Sequence, residues 1–322
     1  MVKKLLSIIL VCLCLLCSAC GPQDAASKSD GVTSVANYNF FGEPINVKVK
    51  QAPQKILVCG NSGAKTLLAL GAGEQIAAVV LTDAGEREAL QKQLPQAKIY
   101  TQPLQLEAAT LLAPDFILGW RRYFADNQLG DTTSWIAKGV PAYIQDASGP
   151  IPAKGKFPAC TIASEQQFIR NMGLLLDKQQ KAEELLREID VELQVKKPLK
   201  PQKVLFVEFL GGNIEVFGND LLSGDIVRHF GSSLISYSAP FISQEELMNM
   251  PAEKIFVVYH GGEGEKQAAL AKLQDPLYQH LPAVQQKHIY PLNYNMIVAP
   301  GCNLVQTIRY IRQCLEKYSL DK

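Results

Sequence analysis

The sequence predicts an α/β protein of two doubly wound lobes, each a parallel sheet with helices on both faces, joined by a long helical spine and separated by a cleft. Three observations carry this expectation. Short β-branched strands alternate with helix signals, which implies parallel strands covered on both faces. A long helical stretch then occupies residues 161–200. After it the strand pattern restarts, and Pro53-Gln54-Lys55-Ile56-Leu57-Val58 is echoed by Pro201-Gln202-Lys203-Val204-Leu205-Phe206. The expected organisation is a signal segment over 1–19, a tether over 20–36, an N-terminal lobe over 37–160, interlobe helices over 161–200 and a C-terminal lobe over 201–322.

In chain order, Lys3 and Lys4 precede an apolar run over 5–16, and the small pair Ser18-Ala19 precedes Cys20, which is the layout of an export signal. The run is short for a bilayer span, and no later segment reaches the length of one. Ser18-Ala19-Cys20-Gly21 resembles the bacterial lipobox, with Cys17 where leucine is usual. The resemblance implies cleavage before Cys20 and acylation of its sulfur and new amino terminus. Residues 22–36, rich in Ser, Asp, Ala and Gly, read as a flexible tether.

Residues 38–44 followed by alternating Ile45, Val47 and Val49 predict a hairpin that turns at Gly42. Strands over 55–59 and 75–81 flank a helix over 62–70 that ends at Gly71. Further strands are expected at 99–100 and 115–119, with a helix over 106–112 closed by Pro114. In the middle, Ser164-Glu165-Gln166-Gln167 has capping-box spacing, and Phe168, Met172 and Leu175 follow at helical intervals. A second box over 177–180 starts a longer helix with Ala182, Leu185, Leu186, Ile189 and Leu193 on one face. Glu183 with Arg187 and Glu192 with Lys196 are spaced as ion pairs on its solvent side, and Pro198 and Pro201 stop it. In the second half, strands over 204–209, 214–217, 254–259 and 288–292 alternate with helices over 221–230 and 245–250. A last amphipathic helix carries Leu304, Ile308, Ile311 and Leu315.

With 322 residues, 47% of them hydrophobic, the chain can bury a substantial core. Its 32 basic and 31 acidic side chains leave no basic field of the kind that tracks nucleic acid, so nucleic acid is not an expected partner. Of the cysteines, Cys12, Cys14 and Cys17 fall in the signal and Cys20 takes lipid. Cys59, Cys160, Cys302 and Cys314 remain, an even set suited either to disulfides in an oxidising compartment or to buried thiols. They match no zinc spacing, the histidines lack ligand spacing, and neither a metal nor a resident cofactor is expected. Gly60-Asn61-Ser62-Gly63-Ala64-Lys65-Thr66 follows a strand and opens a helix, but a phosphate loop needs Gly-Lys adjacent and here Ala64 precedes Lys65. The expected structure is a cleft-lining turn with Ser62 as helix N-cap and free amides that favour an anion. With no Gly-x-Ser-x-Gly elbow, His-Glu-x-x-His or paired carboxylate motif, an enzyme is not expected.

Across 38–322 these pieces, in their order and spacing, resemble the ABC-importer binding proteins for iron complexes and vitamin B12. The matching segments include Pro53-Gln54-Lys55-Ile56, Leu106-Glu107-Ala108, Ala113-Pro114-Asp115-Phe116-Ile117, Ser243-Gln244-Glu245-Glu246-Leu247, Leu281-Pro282-Ala283-Val284 and His288-Ile289-Tyr290. Where the family has Pro-Asp before a C-lobe strand, Pro251-Ala252-Glu253-Lys254 stands instead. The resemblance implies two α/β lobes joined by one long helix, a membrane-anchored position facing the periplasm or the cell exterior, and partnership with a permease dimer and its ATPase. It further implies that Glu107 and Glu245, near helix starts on the outer face of each lobe, pair with permease arginines; spacing from Ser243 favours Glu245 over Glu246.

In open α/β sheets ligands bind beyond the carboxyl ends of the strands. That rule places Trp120, Arg121, Arg122 and Tyr123 after one strand, and Tyr259 and His260 after another, in the cleft with Ser62, Tyr237 and Tyr294. Arginine with several aromatic rings suits a ferric-siderophore-type iron complex. Haem, with propionates on Arg121 or Arg122 and iron on Tyr259 or His260, is an alternative, as are cobalamin and a ligand sensor on the same fold.

Overall fold

A computed structural model describes residues 27–29, 31–82, 84–145, 160–195, 197–219, 221–237, 239–298 and 300–317. The expected signal segment, Cys20 and Lys196 lie outside the described residues. The described chain opens with β1 (Ser27–Ser29), β2 (Val32–Tyr38) and β3 (Pro44–Val49), an antiparallel sheet turned at Gly42. The structured body therefore starts earlier than expected, because Thr33, Val35 and Asn37 alternate inward along β2 and bury one face of it. Asn37 ties this hairpin to the N-terminal lobe: its side chain donates to the Ile144 carbonyl and accepts from the Ile144 amide, each at 2.9 Å.

The N-terminal lobe contains β4 (Ile56–Cys59), α1 (Asn61–Ala69), β5 (Ile76–Val80), α2 (Ala84–Gln93), β6 (Lys98–Tyr100), α3 (Leu106–Leu111), β7 (Phe116–Gly119), α4 (Thr132–Ala137) and β8 (Ala142–Ile144). Its sheet is parallel throughout, in the order β6-β5-β4-β7-β8. Strand β8, too short to register as a run of letters, completes it. Two helices follow, α5 (Ile162–Leu175) and α6 (Gln179–Leu193), so the connection is a helical hairpin and not one continuous rod. The turn between them holds Asp177 in the left-handed region (φ 57), and Lys178, the N-cap of α6, makes no side-chain cap, so no capping box forms there. The box before α5 sits three residues earlier than expected, with Thr161 and Ser164 capping each other's backbone.

The C-terminal lobe contains β9 (Lys203–Leu210), β10 (Asn213–Val216), α7 (Leu222–His229), β11 (Ser233–Leu234), β12 (Phe241–Ile242), α8 (Gln244–Met248), β13 (Lys254–Tyr259), α9 (Glu263–Lys272), α10 (Pro282–Gln285), β14 (Ile289–Asn293) and α11 (Leu304–Glu316). Its main order is β12-β10-β9-β13-β14, with β11 beside β9. The sheet is mixed, which departs from the expected parallel arrangement: β10 runs antiparallel to both β9 and β12. Gly211-Gly212 supplies the reason, since a Gly-Gly pair makes a tight hairpin turn and leaves no room for a crossover helix. The Pro-Gln-Lys echo also gains a physical meaning. In one lobe the Asp115 carboxylate accepts from the Gln54 and Lys55 amides, and in the other Glu253 accepts from the Lys203 amide, so glutamate does at 253 what aspartate does at 115.

One hydrophobic core runs through both lobes, from Val58 and Leu67 through Ile169, Met172 and Ile189 to Phe206, Phe256, Ile308 and Leu315. The opposite face of each sheet has a core of its own, around Trp135 and Phe124 in one lobe and Leu205, Val257 and Leu247 in the other. Glu192 reinforces the shared core. It is buried, and its carboxylate meets Arg309 at 2.8 Å and Arg312 at 2.7 Å across more than a hundred residues. The solvent-side position expected for it is thus corrected, because α11 packs over that face of α6. Glu183 likewise reaches Arg170 of α5 and not Arg187.

Candidate ligand-binding cleft

In the N-terminal sheet the connections leave β4 and β7 in opposite directions, so these adjacent strands flank the switch point where a doubly wound sheet opens a crevice. Gly60 follows β4 with φ 125, a conformation that suits glycine, and a Cβ there would lie 3.4 Å from the Trp120 indole nitrogen. That backbone lets α1 begin at Asn61, one residue before the expected start. Ser62 is consequently not an N-cap: it is buried within the first turn, accepts from Trp120 Nε1 at 3.3 Å and lies 3.4 Å from Gln145 Oε1. The helix start carries no side-chain cap and no acidic residue.

After β7, residues Arg121–Phe124 form a 3-10 turn. Successive side chains on such a turn point about 120° apart, and the two arginines separate accordingly. Arg121 is 1% exposed, with its guanidinium 5.5 Å from the Phe40 ring, so it belongs to the core and is withdrawn from the expected cleft set. Arg122 is exposed. Its guanidinium lies over the rings of Trp120 (4.9 Å) and Tyr123 (5.2 Å), a cation held on an aromatic platform with its remaining N–H groups available.

The opposite wall comes from the ends of β13 and β14. His260 stacks on Tyr294 with centroids 4.3 Å apart, and its Nε2 lies 3.0 Å from the buried Glu208 carboxylate. Glu215 is the direct cross-strand partner of Glu208; burial first, and the neighbouring Glu208 charge second, push its carboxyl above the usual carboxylate range. Tyr237 is exposed and donates to Glu246 at 2.6 Å beside α8, and Tyr259 is half-buried; neither lines the cavity.

Between the walls lies a cavity of about 340 Å³, within the size range of small-molecule sites. One side is lined by Asn61, Thr82, Trp120, Arg122 and Tyr123, the other by His260, Gly261, Tyr294 and Asn295. Asn61 falls in the turn expected to line the cleft, whereas Thr82 and Asn295 went unnamed in the sequence, since single polar residues at strand ends carry no motif. Among the described residues no group of three or more His, Cys, Asp and Glu is arranged to hold a metal ion. Cys59, Cys160, Cys302 and Cys314 are free thiols, and burial pushes the Cys59 thiol far up. Glu107 and Glu245 are both exposed in the first turns of α3 and α8. Glu246 accepts from the Ser243 amide, closing a capping box, whereas the Glu245 side chain makes no hydrogen bond among the described residues.

Residues 56–295 match the family described as periplasmic binding protein, and the chain belongs to that family. It is a family of solute-binding proteins that act outside the cytoplasmic membrane, and no helix among the described residues is long and apolar enough to cross one. No curated protein sequence matches the chain. Among solved structures, a periplasmic binding protein from Veillonella parvula is similar at 22% identity and TM-score 0.77, covering 92% of this chain and 96% of that one. An ABC-type Fe3+-hydroxamate transport protein from Saccharomonospora viridis is similar at 17% identity and TM-score 0.67, covering 87% and 98%. A periplasmic haem-binding protein of Vibrio cholerae is similar at 22% identity and TM-score 0.61, covering 81% and 98%. These likenesses establish the shared fold of two α/β lobes.

Proposed function

We propose that this chain captures a ferric-siderophore-type iron complex in the cleft and delivers it to an ABC permease, acting as a binding protein and not as a catalyst. The observation that carries this reading is the Arg122 guanidinium seated on Trp120 and Tyr123, facing a second aromatic wall of Tyr294 and His260. A cation on a ring platform offsets the negative charge of a ferric chelate while the rings cover its organic shell. Two or three acyl chains on Cys20 would anchor the protein stably at the membrane surface; a Cys20→Ala protein that is still acylated and membrane-bound would refute this. Glu107 and Glu245 would dock the two lobes on the two permease subunits through charge-assisted pairs.

Haem is the second reading, favoured by His260: a carboxylate on one imidazole nitrogen is the usual support for a histidine that ligates metal through the other. Native mass spectrometry of protein purified from its own cells separates the readings. A co-purified ferric chelate supports the first and a co-purified haem with a Soret band lost in His260→Ala supports the second. A ligand without iron, cobalamin included, refutes both.

A further inference from the structure

The two walls of the cavity are each knitted to a segment that lies deeper in the molecule. On the N-terminal side, Thr66 of α1 donates to the Ser62 carbonyl at 2.7 Å and the Ser62 hydroxyl accepts from the Trp120 indole, so α1 and the Trp120 platform form one unit. On the C-terminal side, the Asn293 side chain donates to the Gly261 carbonyl at 3.3 Å and accepts from the Asn295 amide at 3.0 Å, which joins the His260 loop to the turn carrying Tyr294. Thr307 of α11 is fully buried and shares its hydroxyl proton between the carbonyls of Met296 (2.8 Å) and Asn303 (3.1 Å). The wall is thereby tied to a second 3-10 turn, Gly301–Asn303.

That second turn reaches across to the N-terminal lobe. Its Gly301 amide donates to the Glu165 carboxylate of α5 at 2.8 Å, and its Cys302 amide to Thr66 Oγ1 at 3.0 Å. Both acceptors are buried, so breaking either bond leaves a polar group without water to replace its partner. Gly301 has φ 55, and a Cβ on it would collide with Thr66 Oγ1 and stand 3.3 Å from Gln145 Nε2. Glycine is needed there twice, for the left-handed backbone and for the closeness of the approach.

We infer that Gly301, Thr66 and Glu165 are positioning residues that fix the width of the cleft. This buried latch, and not the packing of α5 on α6, holds the Tyr294 and His260 wall at its distance from the Trp120 and Arg122 platform. None of the three lines the cavity, so they act on a ligand only through the walls. A molecule that bridges both walls loses contact with one of them when the latch shifts, because binding groups have to be held within about 0.5 Å of their working geometry. The inference rests on the cleft being the binding site and assigns what sets its dimensions.

The test uses Gly301→Ala, whose added methyl pushes the turn off Thr66, and Gly173→Ala, whose added methyl collides with Ala182 where α5 packs on α6. Each is made with Trp135→Phe, so that acrylamide quenching of Trp120 reports the opening of the cleft without ligand. Affinity is measured by isothermal titration with a ferric hydroxamate and a ferric catecholate complex, in protein whose circular dichroism matches wild type. Gly301→Ala is expected to make Trp120 more quenchable and to weaken whichever complex binds by about tenfold, the weight of one hydrogen bond across the cleft. Adding Thr66→Ala should move both readings back toward wild type, since removing Oγ1 leaves room for the new Cβ. Gly173→Ala should lower the melting temperature and change neither reading, which separates positioning from plain destabilisation. If Gly301→Ala does not fold, Thr66→Val, which keeps the volume and removes the acceptor of the Cys302 amide, is expected to shift both readings in the same direction. Folded latch variants with wild-type quenching and affinity, or a Gly173→Ala protein that shifts both as far, overturn the inference. If wild type binds neither complex, the iron-complex reading is what fails, and the ligand-free quenching comparison decides the latch.

Discussion

Removing the Arg122 guanidinium while leaving its neighbour Arg121 in place tests which of two adjacent arginines serves the ligand. Arg122 is exposed and makes no ion pair among the described residues; it lies over the faces of Trp120 and Tyr123, and its Nη2 donates to Tyr123 Oη at 3.4 Å. Arg122→Ala is expected to leave folding stability within about 0.5 kcal/mol, as for exposed substitutions generally. A hydrogen bond from a charged donor contributes about 1.5–3 kcal/mol, so the dissociation constant is expected to rise roughly 10- to 150-fold. Arg122→Lys retains charge but loses the planar stack and should fall between. Arg121→Ala should behave oppositely: it empties a fully buried position beside Phe40, and a stability loss of about 2 kcal/mol or more is expected. Paired thermal melts and isothermal titration with a ferric siderophore separate the two effects. Equal loss of affinity in both variants, with both fully folded, would refute the division of roles.

Glu192→Leu leaves Arg309 and Arg312 without their shared carboxylate where α6 meets α11; because Arg309 is half exposed, the cost should sit near the lower end for buried pairs, about 3 kcal/mol, read by urea unfolding. Glu215 has a folded-state pKa above its unfolded one, so the native state holds its proton longer and stability falls as pH rises through that window. Glu215→Gln should therefore stabilise the protein at neutral pH and make no difference below the ordinary carboxylate range, as melts across pH would record. Lys254 is fully buried in β13 with its pKa lowered to about 8 by burial, so the native state sheds its proton before the unfolded chain does and stability rises with pH between about 8 and 10.5. Lys254→Met should gain at most about 3 kcal/mol below that window and nothing above it. Glu107→Ala with Glu245→Ala should abolish uptake in whole cells while the purified double variant binds ligand normally; retained uptake would remove the docking role.

Much of the fold was legible because apolar runs and breakers carry it. The strands after Pro53 and Pro201, the Gly71 and Pro114 stops, and the Leu304, Ile308, Ile311 and Leu315 face of α11 all stand where their letters imply. What escaped depends on contacts distant in sequence or on backbone angle. Glu192 reads as a solvent-side residue until α11 covers it. The antiparallel β10 follows from Gly211-Gly212, a signal present in the letters and outweighed by the alternation around it. At the cleft, Trp120, Arg122, Tyr123, His260 and Tyr294, which the strand-end rule brought together, line one cavity. It had no means to separate Arg121 from Arg122, since a 3-10 turn and a helix start send neighbouring side chains to different places. The turn after β4 was expected at the cleft, but with Ser62 as the N-cap, because the positive φ at Gly60 that shifts the helix start to Asn61 is not written in composition.

Trp120 and Trp135 are the two tryptophans of the chain, and only Trp120 lines the cavity, so Trp135→Phe turns Trp120 into the sole tryptophan reporter of the cleft. Titrating that variant with ferric hydroxamate and ferric catecholate complexes is expected to give saturable one-to-one quenching by at least one of them, weakened when Arg122→Ala is added. Unchanged Trp120 emission with every ferric complex, in protein whose circular dichroism matches wild type, would contradict the assignment of this cleft as an iron-complex site.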